Sequence, residues 1–241
     1  MDDSELQKKK DNDKFSKIFF FIIPLTVPVI VTFATYLFYP IYAEANLIWL
    51  PLILIYWSTI WGYTLIYRKL RGGVFNEERY ELTLKLKGDH LWLQYLVVYG
   101  PLIYTIPIFI VMYAINPNFS IALWIVILIL SIINGPSEET FWRACMEDMG
   151  VNAGASEKLR LVYSSITFGL WHTAFVIHLV PMDEAWLMYW LVTIASTTIS
   201  GLIWHWTMHR SERLFPQIFY HSCANFFSVF PAFIVIIGFY F

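Results

Sequence analysis

Apolar residues in this chain come in long blocks parted by short polar ones. The blocks fall at about 18–39, 46–67, 91–115, 119–135, 161–180, 185–207, 216–229 and 231–241. A helix that crosses the hydrocarbon core needs roughly 20 apolar residues. The pattern therefore predicts eight membrane-spanning helices. The last two blocks are short, and if they are halves of one broken helix the count is seven. Period-two alternation is visible only over 80–87, in the longest polar connection, which reads either as a short interfacial piece or as a solvated loop.

Charge orders these blocks. All sixteen Lys and Arg lie in the N-terminal tail, in 68–87, in 143–160 or in 210–213. The alternate connections, near 40–46, 116–118, 178–184 and 229–231, hold none. Basic residues collect on cytoplasmic connections, so an even number of spans with both termini in the cytoplasm is expected. Residues 1–17 are polar, and the run after them is long enough to span rather than to be a signal core. They read as a cytoplasmic tail, and 18–241 as one integral membrane domain. Composition agrees, at 58% hydrophobic and 14% charged, against about half and a quarter in soluble domains. The net charge of −2 names no partner, and Cys145 and Cys223 imply no disulfide framework.

The fourth block ends in Asn134-Gly135-Pro136-Ser137. Proline lacks an amide proton and crowds the preceding turn, so a kink or break is expected there. A restarted helix would take Ser137 as N-cap and carry Glu138 and Glu139 in its first turn, where the helix dipole favours ionised carboxylates. A turn is then expected at Met149-Gly150, which puts the acidic pair toward the cytoplasmic face.

Ionisable side chains at membrane depth are costly and mark working sites. Here they come in three short pieces. Glu139 and Arg143 are four residues apart on one helical face, where the guanidinium holds one carboxylate while Glu138 points elsewhere. Phe168 and His172 repeat that spacing in the fifth block, and His221 and Asn225 in the seventh. A histidine and an asparagine on one face offer donors for a tetrahedral oxyanion, and a carboxylate opposite them can activate water.

Glu-Glu-x-x-x-Arg, Phe-x-x-x-His and His-x-x-x-Asn, on three spans in that order, resemble the CPBP (Abi) family of intramembrane endopeptidases, which includes the CAAX prenyl proteases. The likeness covers roughly 119–241, the expected protease core, and no motif position is lost. It implies an all-α polytopic bundle and cleavage of a peptide bond in or near the membrane, in a site opening to the cytoplasmic side. Glu138 would activate water with help from His172. Glu139 and Arg143 would form an orienting pair, His221 and Asn225 an oxyanion site, and Phe168 a substrate contact. The favoured reading is metal-free; zinc held by Glu138, His172 and His221 is the alternative. The implied partners are a membrane-associated peptide or protein substrate and the lipid bilayer, with no nucleic acid. The expected location is the cell membrane of a prokaryote.

Blander readings stand beside these. Glu139 and Arg143 form a helix-end ion pair, His172 a core histidine, and His221 with Asn225 an interhelical glue. His205 and His209 have legal metal-ligand spacing, but the only acid near them in sequence is Glu212. A rival function is a non-catalytic immunity factor or scaffold of the same fold. A transporter with a broken fourth helix ranks last, because no second half repeats the first.

Overall fold

The computed structural model describes residues 14–42, 48–71, 81–115, 120–180, 182 and 184–231. These residues form helices and short connections, with no strand among them. In hydrocarbon a backbone must satisfy its own polar groups, and apolar runs of this length do so as helices. In chain order they are α1 (Ile23–Tyr42), α2 (Trp49–Arg71), α3 (Leu91–Tyr99), α4 (Leu102–Ile115) and α5 (Ile121–Glu139). A π-helical turn, Thr140–Cys145, joins α5 to α6 (Met146–Asn152). After these come α7 (Glu157–Leu179), α8 (Trp186–Ser211) and α9 (Phe215–Ala224), with a π-helical turn at Asn225–Val229. Ser120 and Ser156 cap α5 and α7, accepting from the amides of Leu123 and Leu159.

Among the described residues, five stretches are long and apolar enough to cross a membrane: Ile23–Ile41, Trp49–Leu70, Leu91–Val111, Ile121–Asn152 and Trp186–Ser211. Eight spans are thus not established. Helix α7 has the length, at 23 residues, but its Ser164, Ser165 and Thr167 dilute the apolar signal. Those hydroxyls are buried, and Ser165 and Thr167 donate to carbonyls four residues back. Helix α9 with its π-helical extension is shorter than a span. The last predicted block, past residue 231, lies outside the described residues.

The expected break at Pro136 is absent. The chain is helical from Ile121 to Asn152 without interruption. Ser137 is no N-cap, since its hydroxyl donates to the Ile133 carbonyl at 2.7 Å and accepts from Trp61 Nε1 at 2.9 Å. A π-helical turn follows at Thr140–Cys145, where one extra residue is inserted without ending the helix. The acidic pair therefore sits in mid-helix, and the turn expected at Met149-Gly150 comes at Ala153-Gly154. The third block, predicted as one helix, is instead divided at Gly100-Pro101, where proline supplies no donor. Residues 81–90 form an irregular segment, held by Arg213 through Glu81 at 2.7 Å and the Lys85 carbonyl at 3.2 Å; the part over 72–80 lies outside the described residues.

Helix α7 runs antiparallel along α8 and packs on α1, while α5 crosses α9 and α2 lies against α5. Two glycines set the crossings. A Cβ on Gly169 would collide with Thr198 Oγ1 and lie 3.0 Å from the Ile194 carbonyl oxygen on α8. One on Gly135 would collide with Ser222 Oγ and lie 3.1 Å from the Ser222 amide on α9. Small residues at such crossings let backbones approach closely. Gly135→Val should therefore push α9 away. The expected result is ~1–3 kcal/mol of lost stability, read as a lower melting temperature in detergent. An unchanged melt would show that α9 is free to shift.

Candidate active site

The crossings bring the three polar pieces together. Helix α5 carries Glu138 and Glu139, α9 carries His221, and His221 stands between the carboxylates. Its Nδ1 is 2.8 Å from Glu139 Oε1 and its Nε2 is 3.1 Å from Glu138 Oε2. With both carboxylates ionised, each ring nitrogen donates and the ring is an imidazolium. Arg143 approaches the other Glu139 oxygen, with Nε 3.3 Å from Oε2. Two negative and two positive groups then balance in a place where an unpaired charge costs several kcal/mol.

Arg143 is fully buried and has no aligned hydrogen bond among the described residues; its contact with Glu139 is an ion pair. Aromatic faces cradle its remaining charge. The guanidinium carbon lies 4.3 Å from the centre of the Phe168 ring and 5.5 Å from that of Trp204. A cation over a desolvated ring gains about 2 kcal/mol. Phe168 thus serves as the platform for Arg143 as well as a wall of the cavity.

His172 lies one turn beyond Phe168. Its Nδ1 donates to the Phe168 carbonyl at 3.0 Å, which leaves Nε2 as the nitrogen without the proton. Asn225 is 3% exposed, and its amide nitrogen has no partner among the described residues. Glu138, His172, His221 and Asn225 all line one cavity of about 420 Å³. In this arrangement no three His, Cys, Asp or Glu side chains converge as metal ligands among the described residues.

The cavity extends away from the basic ends of the helices. Its walls beyond the glutamates come from Ile53, Phe175, Thr193 and Val229, on the halves of their helices remote from Arg160, Arg210 and Arg213. Trp204 and Tyr220 line its other end, beside His221.

Several site residues gave little sign in the sequence. Tyr56 on α2 accepts from Trp142 Nε1 at 2.8 Å, and its own hydroxyl turns to Glu138. It is one tyrosine in an apolar block, with nothing to set it apart. Trp171 stacks on Tyr56, centroids 3.6 Å apart and planes at 8°. The acid that meets His205 and His209 is Glu147 on α6, 3.0 Å from His205 Nε2 and 3.4 Å from His209 Nδ1. Arg160 joins it at 3.0 Å and Ser164 closes on His205 Nδ1 at 2.7 Å, a polar clasp between α6, α7 and α8.

Residues 120–227 match the family model of the Rce1-like type II CAAX prenyl endopeptidases. Among curated proteins and among solved structures, none matches the chain. The matched stretch contains all seven motif residues and the helices that bring them together. Over residues 120–227, just under half of its length, the chain is similar to the CAAX prenyl endopeptidases.

Proposed function

We propose that the protein is an intramembrane endopeptidase that hydrolyses a peptide bond of a membrane-associated substrate without a metal. One observation carries this: a buried carboxylate, a histidine with a free nitrogen and an orphaned amide donor line one cavity at membrane depth. Water held between Glu138 and His172 loses a proton to Glu138, and its oxygen attacks the carbonyl carbon. The oxyanion accepts from Asn225 Nδ2. Protonated Glu138 holds His221 less tightly, which frees Nε2–H to join Asn225 there. The carbon–nitrogen bond then breaks and the proton passes to the departing amine, leaving a new carboxylate. Glu139 and Arg143 fix His221 and, through it, Glu138.

Positive residues on one side support cytoplasmic termini, with the cavity reaching into the half of the bilayer away from them. The test is cleavage of a membrane-tethered peptide library by the purified protein, with and without a strong zinc chelator. Cut products at equal rates in both are expected. Loss of cleavage on chelation, restored by added zinc, would replace the metal-free reading with a metalloprotease.

A further inference from the structure

The cavity wall opposite the glutamates is built from α8, and its polar atoms there are hydroxyls. Thr193, Ser196, Thr197 and Ser200 all face the cavity. Thr193 and Thr197 are four residues apart, as are Ser196 and Ser200, so they form two short rows along the helix. Ser196 Oγ donates to the Thr193 carbonyl at 3.1 Å, and Thr197 Oγ1 donates to the same carbonyl at 2.6 Å. The Ser196 and Thr197 protons are spent on the helix itself, so one hydroxyl of each row presents only lone pairs to the cavity, and Thr193 and Ser200 are able to turn theirs to accept beside them. A row of acceptors asks for N–H donors.

The facing wall asks for the converse. The Trp171 indole is 5% exposed, and its Nε1–H has no partner among the described residues. The stack on Tyr56 holds it in place. A buried N–H without an acceptor costs about 1–3 kcal/mol, so this wall awaits a carbonyl. A ligand with N–H groups on one side and carbonyls on the other is a peptide main chain.

The spacing selects its conformation. Hydroxyls four residues apart on a helix are separated by about 6 Å along the axis. Alternate residues of an extended chain are about 6.7 Å apart, so their N–H groups meet both members of a row. A helical substrate has its N–H groups already paired and offers none. We infer that Ser196 and Ser200, flanked by Thr193 and Thr197, form a subsite that accepts hydrogen bonds from the main chain of an unwound, extended substrate segment beside the scissile bond. This inference rests on the peptidase reading.

The experiment compares wild type with Ser196→Ala/Ser200→Ala on a membrane-tethered fluorogenic peptide that wild type cleaves. Analogues N-methylated at each main-chain amide near the cut are run beside it. The double variant should raise KM about tenfold with kcat near wild type, as for two lost hydrogen bonds. N-methylation at the paired amides should cost wild type a like factor and the variant little more. A wild-type kcat/KM in the double variant, or equal N-methyl losses in both proteins, overturns the subsite while leaving the peptidase reading intact. If wild type cleaves no peptide, both fall.

Discussion

Glu138→Gln should abolish peptide cleavage while leaving the protein folded and inserted. Glutamine keeps the size of glutamate, and its carbonyl oxygen still accepts from His221 Nε2, which lies 3.1 Å from Glu138 Oε2. What it cannot do is take a proton from water. General-base catalysis contributes about 10²–10⁴-fold, so kcat should fall by about a hundredfold or more. The melting temperature should fall much less than in Arg143→Ala, because the carboxylate is exchanged for a group of the same shape that still pairs with His221, although one negative charge of the buried set is lost. Matched kcat/KM in mutant and wild type would remove Glu138 from the chemistry. A large drop in stability would mean that its main task is to hold α9 through His221.

Arg143→Ala is the second large effect, and it strikes the fold before the chemistry. The guanidinium is fully buried and is the fixed positive charge next to Glu139, 3.3 Å away. Removing one partner of a buried ion pair costs about 3–5 kcal/mol, because the other charge stays behind without compensation. It also empties the space over Phe168 and Trp204. Glu139 would then lean on His221 alone, and His221 would no longer hold Glu138 in place. The expected result is a melting temperature in detergent well below wild type, with little cleavage. Arg143→Met/Glu139→Gln should recover much of the stability, since it removes both charges and keeps the volume, yet recover little activity. If Arg143→Ala alone melts like wild type, the pair is ornamental. If the double variant is no more stable than Arg143→Ala, the loss came from packing and not from charge.

How much of this was legible in the residues can be argued element by element. The apolar blocks mark helices because hydrocarbon leaves the backbone no other partner, and α2, α5 and α8 coincide with three of them. The blocks say nothing about which helix faces which. The α5–α9 crossing rests on Gly135 and the α7–α8 crossing on Gly169, and a glycine in an apolar block carries no address. Pro136 reads as a break by the local rule, yet the helix runs through it, because proline removes one backbone bond and the turns on either side keep theirs. Glu138, Glu139, Arg143, His172, His221 and Asn225 stand out because ionisable and amide groups are rare at that depth, and Phe168 only by its spacing to His172. Tyr56, Trp171 and the α8 hydroxyls did not. Threonine and serine in a helix quiet their own polarity on the backbone, and aromatic residues blend with their apolar neighbours. The clasp around Glu147 was hidden for another reason, since its partners Ser164 and His205 are 41 residues apart in sequence.

The central claim is that water attacks a peptide carbonyl in this cavity with Glu138 as base. Incubating the purified protein with membrane-tethered peptides in heavy-oxygen water, and weighing the products, tests it most directly. The account predicts cut peptides whose new carboxyl carries one heavy oxygen, and none when Glu138→Gln is used at the same concentration. Labelled products formed as fast by Glu138→Gln as by wild type would contradict it.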